Sequence, residues 1–562
     1  MLISIPNSQG KNYQKNNPEY DYRVKYHDQT ITVELSDEEL AECHFYENAN
    51  HWVMILGTIS YSNLHINNPK DVAIVYASEY ITSPDSFLNL CDGNFLVAAY
   101  DKQKRKLTML RDALGLKHVY YSSTSDGFCI STSLRLLLQI KKSKKVEISL
   151  EALNHYLTFQ YIPQPYTMFI DIHQVPLQST VTYENGNCVV KSFNITINQF
   201  LDNHISSTNS SLKTLLINSF NRQLTSQQTK VGAFLSGGMD TSGNVAILAE
   251  FLGIKPITFT AAFHEAEYDE TPYAKIMAKH YTLEHHVVIV TSKIIEHVST
   301  ISGLYDNPIA DRAILPEYII CKMAQEMGIN YMVSGEGGDE ILGYPRNLPE
   351  NVMFSKELYA NDKLLAEYYY SYSALIQKDH RNKLLQTSVN NHEDYLANFY
   401  KTLGKIHPFE KIYYGQWQTW LIDNVLMKDT QLFKNSSLKF VSPYIDVELM
   451  KHIATLDVDE KMIKLCNKNY LKEELHDILP DKIIHKKKHK FKVPISEWIR
   501  ENSYSLFHEK LLANNSLVNG YMDQKLVLSM LEDHKKGKHD YNRPLWALYF
   551  LENWYTSINQ LS

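Results

Sequence analysis

Two short stretches, SGGMD at Ser236–Asp240 and SGEGGDE at Ser334–Glu340, gather glycines, hydroxyls and carboxylates in a pattern suited to phosphate and a divalent cation. In the first, Gly237 and Gly238 have no Cβ, so their backbone N–H groups can approach an anion closely. A helix expected to restart near Thr241 would point its positive dipole end at the same place. Ser236, Thr241 and Ser242 add hydroxyl donors. No lysine follows the glycines, which excludes the loop that grips a β/γ-phosphate pair with one. Asp240 stands instead where it can hold Mg2+ against a pyrophosphate. In the second stretch Gly335 opens the loop, Asp339 can share that Mg2+, and Glu336 can face a reacting carboxyl group. One such loop is usually a solvated turn, but two at neighbouring strand ends are harder to dismiss.

The elements around them alternate strand and helix. Val231–Leu235 leads into the first loop, followed by a strand at Pro256–Phe263, a helix over Thr271–Tyr281 and a strand at His286–Thr291. A helix over Pro316–Met327 and a strand at Tyr331–Ser334 lead into the second. Such alternation implies a parallel sheet with ligands at the carboxyl ends of its strands, which would bring Asp240, Phe263, Asp311 and Glu336 together. Before residue 195 or so the pattern is different. Short runs at Thr30–Leu35, Trp52–Ser60, Val72–Tyr76, Gly93–Tyr100, Leu107–Leu110 and Phe128–Ser131 read as strands, punctuated by Asp92-Gly93, Asp126-Gly127 and Asn185-Gly186. Stacked antiparallel sheets fit that spacing, and the chain as a whole is α/β.

At 562 residues the chain exceeds one core. A net charge of −7 argues against a nucleic-acid partner, which calls for a basic face. No apolar run approaches the roughly 18 residues of a membrane span, and the first residues lack a signal-peptide pattern, so a cytoplasmic protein with no membrane partner is expected. The six cysteines show no metal spacing and read as reduced thiols. His285-His286 reads as a strand start, since neighbours on a strand face opposite sides, and HKKKHKFK at His485–Lys492 as a solvated surface segment.

The run Gly93–Ser122, with Arg111-Asp112, Leu114-Gly115 and Val119-Tyr120, resembles the glutaminase half of asparagine synthetase, and Leu150–Ser179 continues the match. With SGGMD, YDNPIADRAILPEY (Tyr305–Tyr318) and SGEGGDE in this order, then Ser442–Leu456, Lys468–Ile483 and Lys487–Glu501, the chain resembles asparagine synthetase and its relatives, the β-lactam, carbapenam and lasso-peptide macrolactam synthetases. The resemblance implies a degenerate glutaminase-like αββα sandwich of the N-terminal nucleophile hydrolase type over 1–195, then a parallel-sheet PP-loop ATP-pyrophosphatase domain with helical additions over 196–562, including a helical insertion at about 350–415. It implies that ATP adenylates a carboxylate, pyrophosphate leaves and an amine attacks the acyl-adenylate. Ser236, Gly237, Gly238, Asp240, Thr241, Ser242 and Gly335 then fall on the ATP and pyrophosphate site, Thr260 and Phe263 on the strand that meets adenine, and Asp240 and Asp339 on Mg2+. Glu336 and Lys468 are the implied catalytic pair, Lys468 opening a short helix, Lys468–Leu475, after a flexible-looking Lys461–Asn467. The sequence departs from the family at Lys439 and Val441, at Arg312-Ala313, and by one residue before Gly343-Tyr344, all expected on the side that handles acid and amine.

In that family a cysteine exposed at the mature N-terminus attacks glutamine, and an Asn-Gly-Glu holds it. Here the sequence opens Met1-Leu2-Ile3-Ser4, the nearest cysteine is Cys43, and Gly57-Thr58-Ile59 replaces the holding residues, so glutamine hydrolysis is not expected. The expected function is an AMP-forming carbon–nitrogen ligase taking a small-molecule or peptide carboxylate and an amine, with a homodimer open. Alternatives are a ring-closing lactam synthetase and, less well matched, a tRNA-modifying ATPase with the same loop.

Overall fold

A computed structural model describes residues 1–6, 22–27, 31–61, 68–81, 83–88, 90–124, 127–140, 147–193, 210–224, 230–343, 358, 361–386, 392–487 and 492–560. The expectations for Tyr344, Lys488 and much of the 350–415 segment's first part lie outside them. The chain forms two compact units: residues 1–152 with 163–203, and residues 153–162 with 204–560. The chain therefore enters the second unit at Leu153, returns to the first at Pro163 and leaves it again after Asn203, where the sequence suggested one boundary at 195/196.

The first unit holds two six-stranded antiparallel sheets. Its strands are β1 Leu2–Pro6, β2 Tyr22–His27, β3 Thr32–Ser36, β4 Cys43–Glu47, β5 His51–Tyr61, β6 Cys91–Asp101, β7 Lys106–Arg111, β8 Tyr120–Thr124, β9 Gly127–Ser131, β10 His173–Gln174, β11 Ser179–Glu184 and β12 Asn187–Ser192. They pair in the orders β10-β8-β9-β1-β3-β2 and β12-β11-β7-β6-β5-β4. Alternation along β5 shows how the layers form. Trp52, Met54 and Leu56 join Ile3, Val33 and Ile130 in one core between the sheets, while Val53 and Ile55 join Val72, Tyr76 and Phe87 in a second core on the far face. The Arg111-Asp112 and Leu114-Gly115 motif is structural. Arg111 is fully buried and donates to the carbonyls of Lys117, Val175 and Gly115, and Asp112 accepts the N–H groups of Phe95, Leu114 and Gly115. The expected strand at Val72–Tyr76 is instead the helix Pro69–Val75. Asn68 caps it, accepting the Lys70 N–H at 3.1 Å, and Pro69 fits the first turn, two start signals that outweigh the β-branched run.

The second unit is organised by a five-stranded parallel sheet, β13 Val231–Phe234, β14 Ile257–Ala262, β15 His285–Ile289, β16 Tyr331–Val333 and β17 Lys439–Val441, in the order β15-β14-β13-β16-β17. β17 was not expected from the sequence; it is three residues long, too short for a periodic signal. The order puts β13 at the centre, where the winding reverses and a crevice opens beyond the strand ends. The helices Met239–Phe251, Thr271–His280 and Ile314–Glu326 connect the strands. Four further helices, Asp362–Ser373, Lys378–Leu385, His392–Thr402 and Pro408–Gln416, fill the described part of the 350–415 segment. Lys461–Asn467 is not loose: Val458–Leu465 is a helix with a capping box at Asp457 and Glu460, and Lys461 is buried on Glu410 at 2.6 Å. No helix among the described residues is long and apolar enough to cross a membrane.

The terminal helix Asn542–Asn559 braces the segment that precedes the helix Ile314–Glu326. Trp546 Nε1 donates to the Ala310 carbonyl at 3.0 Å and Trp554 Nε1 to that of Tyr305 at 3.0 Å. Removing the 1% exposed Trp546 side chain leaves a large void and an orphaned acceptor. Trp546→Ala is expected to cost about 3–5 kcal/mol in urea unfolding, against about 0.5 or less for Ile463→Ser at an exposed site.

Candidate active site

β13 and β16 are parallel neighbours in the register Val231↔Tyr331 to Ala233↔Val333, so the loops that leave them start side by side. The first loop is folded by its own hydroxyls. Ser236 N–H donates to Thr241 Oγ1 at 3.1 Å, Gly238 N–H to Ser236 Oγ at 3.2 Å, and Gly238 opens the helix Met239–Phe251 with its N-terminus unblocked by any side-chain cap. Gly237 has φ +68, and a Cβ there would lie 2.3 Å from Tyr273. Thr260 Oγ1 donates to the Leu235 carbonyl.

The second loop lies against the first because it lacks side chains. A Cβ on Gly335 would come within 2.9 Å of Thr241, and one on Gly338 within 2.6 Å of the Asp240 carboxyl. This close approach sets Asp240 beside Asp339. Between them sits Lys468, 5% exposed, whose ammonium pairs with Asp240 and, at 2.7 Å, with Asp339. Burial works against its charge, but the two carboxylates hold it well above the ordinary lysine range. Lys468 does not open its helix from within. It precedes Asn469–Leu475 with φ +57, and Asn467 before it has φ +48, two consecutive left-handed residues of a kind found where a side chain must be aimed.

These residues line a cavity of about 1090 Å3. Ser236, Gly238, Asp240, Thr241, Thr260, Gly335, Glu336, Asp339 and Lys468 are all on its wall, with Asp311. Gly237, Ser242 and Phe263 are not: Ser242 is fully buried in its helix, and Phe263 packs on Trp498 and Tyr268. The departures expected beside acid and amine are also mostly elsewhere. Of Lys439, Val441, Arg312 and Ala313, only Ala313 lines the cavity; Val441 is buried in β17 and Arg312 bonds Asn542. The basic run is not simply solvated, since Lys486 is on the wall, bonded to Glu270 at 2.9 Å and lying over Tyr273. Its continuation through 488–491 lies outside the described residues.

A second charged centre was not expected from the sequence. Lys428, 1% exposed, pairs with Glu317 at 2.6 Å, Glu336 at 3.1 Å and Asp429 at 3.2 Å. Burial opposes its charge, yet the carboxylates raise it well above the ordinary lysine range. Burial also pushes Glu317 well up and Asp429 up to about 7. The three carboxylates are close enough to hold a metal ion, but the ammonium already sits among them. The signal that could have found it is a Lys-Asp pair inside the apolar stretch Trp417–Phe433.

A central parallel strand running into a capless glycine loop, with carboxylates and lysine gathered over it, is the arrangement of an α/β enzyme with its site beyond the strand ends. The chain belongs to the asparagine synthase family: the model described as asparagine synthase matches residues 211–556, and that of the glutamine amidotransferase domain matches residues 62–194. The glutamine-hydrolyzing asparagine synthetase 1 of Bacillus subtilis (strain 168) is 24% identical over 94% of this chain and 88% of its own. A putative glutamine-hydrolyzing asparagine synthetase 2 of Methanocaldococcus jannaschii is 29% identical over 45% of this chain and 49% of its own. A solved structure, the U34-tRNA thiolase NcsA from Methanococcus maripaludis, aligns at 13% identity over 59% of this chain and 77% of its own, with a TM-score of 0.22. Family membership makes the protein an ATP-dependent amide-forming ligase.

Breaking the Lys428 cluster strands buried carboxylates without their cation. Lys428→Met is expected to cost about 3–5 kcal/mol in urea unfolding. Lys536→Met, at a surface pair whose lysine is 55% exposed, should leave the unfolding midpoint nearly unchanged.

Proposed function

We propose that the second unit adenylates a carboxylate with ATP, releases pyrophosphate and passes the acyl group to an amine. The observation that carries this reading is the convergence of Asp240, Asp339 and Lys468 over the N-terminus of the helix Met239–Phe251. Ser236 and Thr241 bring hydroxyls to the pyrophosphate, and the uncapped start of the helix Met239–Phe251 brings its backbone N–H groups. Thr260, with its neighbours Phe259 and Ala261 on β14, forms the wall left for adenine now that Phe263 lies outside it. Asp240 and Asp339 converge on one centre, occupied by the Lys468 ammonium, so a divalent cation would have to share the two carboxylates with that lysine, and when bound Mg2+ would neutralise phosphate charge. Lys468 is a fixed cation for the charge that grows on the phosphate and then on the carbonyl oxygen, an interaction stronger in the transition state than before it. Gly237 and Ser242 act through the loop's shape and the helix start.

Glutamine is not the nitrogen source in this reading, although a glutamine amidotransferase model matches 62–194. The first unit's cysteines, Cys43, Cys91, Cys129 and Cys188, lie in β4, β6, β9 and β12. Burial pushes the Cys188 thiol up to about 11, the opposite of what a nucleophile needs. Gly57 has φ +101 and a Cβ there would meet the Asn94 carbonyl at 2.3 Å, so it shapes β5, and Thr58 and Ile59 beside it offer no carboxylate or amide to hold glutamine.

Exchange of labelled pyrophosphate into ATP, screened across amino acids and acyl amino acids, tests adenylation directly; no carboxylate-dependent exchange would sink it. Lys468→Met is expected to bind ATP almost normally and lose amide formation by ~10²–10³. Lys472→Met should keep more activity, and equal losses in the two variants would remove the role given to Lys468. Incubation with glutamine should yield no glutamate above the no-enzyme control, and turnover abolished by a thiol alkylator would reverse that conclusion.

A further inference from the structure

The helix Ile314–Glu326 turns one stripe toward the cavity. Ala313, just before it, and Pro316, Glu317 and Ile320 follow the spacing i, i+3, i+4 and i+7, and all four are on the wall. Three of them are apolar. Val425 joins the wall from a ten-residue π-helical stretch, Trp417–Leu426. Such widened turns are uncommon and recur at functional sites. This one is pinned to the second acidic loop, Trp417 Nε1 donating to the Glu340 carbonyl and Trp420 Nε1 to its carboxylate, both at 2.9 Å. Three residues beyond Val425, Lys428 reaches Glu317 at 2.6 Å, so an ion pair ties the π-helical stretch to the stripe and draws Val425 toward its apolar members.

Charge divides the cavity. At the phosphate loop stand Lys468, on Asp240, and Lys486, which donates to the Ser236 carbonyl at 3.5 Å. Beside the stripe the cation is Lys428, and Glu317, Glu336 and Asp429 already hold it. Burial pushes Glu317 well up and Asp429 up to about 7, so the cluster carries less negative charge than three carboxylates would suggest. A further carboxylate brought here has to displace one of those partners or lie unpaired on apolar side chains. Either course leaves a buried charge without a partner, which is costly. An apolar chain avoids that cost and takes the stripe out of water.

Resting on the adenylation reading, we infer that Ala313, Pro316, Ile320 and Val425 receive the body of the acid substrate, and that this acid is a monocarboxylate with an apolar body, not a dicarboxylic acid. The stripe meets the second acidic loop through Lys428 and Glu336, and Gly335 of that loop packs against Thr241 of the phosphate loop. A body seated on the stripe therefore leaves its carboxyl group beside the phosphates.

Pyrophosphate exchange without any amine reads the acid alone. Three pairs matched in shape isolate the second carboxylate: hexanoate with adipate, N-acetylleucine with N-acetylaspartate, and leucine with aspartate. Within each pair that exchanges, the monocarboxylate should show a kcat/KM higher by about 100-fold or more. Val425→Ala, which trims one wall side chain, should lower kcat/KM for the favoured acid by about 10-fold while the KM for ATP holds. Ala313→Lys, at a half-buried wall position, adds a cation beside the stripe and should narrow the preference by about 10-fold or more. A wall that only supports the fold would leave that preference unchanged. The inference is overturned by equal or better exchange with the dicarboxylate of any pair, by exchange confined to acids with a second carboxylate or a polar body, or by an unchanged preference in Ala313→Lys. Absence of exchange with every carboxylate would instead overturn adenylation, and this inference with it.

Discussion

Two carboxylates, Asp240 and Asp339, are brought side by side by the backbone, and a lysine makes that tolerable. The backbone part follows from the sheet: parallel neighbours end together, and the loops beyond can touch only where one of them has no side chains. The lysine comes from far along the chain, on a strained pair of left-handed residues, and is buried as it arrives. Much of the remaining architecture serves to hold these three groups. The helix Asn469–Leu475 carries Lys468, Tyr444 donates its hydroxyl to the Asp240 carbonyl, and β17 supplies the Val441 carbonyl that accepts the Ser334 N–H.

The site has two cationic centres of different character. At Lys468 one carboxylate partner, Asp339, is largely open and the other, Asp240, only partly so. At Lys428 two partners, Glu317 and Asp429, are buried or nearly so and only Glu336 reaches the cavity, and the arrangement costs so much desolvation that stability alone is a poor reason for it. A buried charge cluster of this sort earns its place by fixing one orientation, and the loop bearing Glu336 is the element it fixes.

Much of this was legible before any coordinates, for physical reasons that differ from element to element. The phosphate loop and its partner were visible because glycine and aspartate at set spacing leave few structural readings, and the sheet because apolar runs alternate with amphipathic helices. Pro69–Val75 was misread because its apolar run is β-branched and the cap before it is short-range information that periodicity ignores. Phe263 was placed in the site as part of the strand that meets adenine, but β14 ends at Ala262 and the residue just past it turns to Trp498. Lys428 was missed because its one local cue, a Lys-Asp pair among apolar residues, is weak, and its partners Glu317 and Glu336 are about a hundred residues away in sequence.

The segment Leu153–Ile162 bears on how such a protein can be taken apart. It lies in sequence amid the first unit, yet its backbone completes the second: the Leu157, Thr158 and Gln160 carbonyls accept the N–H groups of Ile376, Leu375 and Ala310, and Asn154 accepts from the fully buried Arg381. A gene cut once, after residue 203, would therefore strip the ligase half of a strap beneath its own helices. The halves are not interchangeable cassettes. The chemistry of one half could change while its reading frame stayed tied to the other, because it is interrupted by ten residues to which its neighbour's helices are bonded.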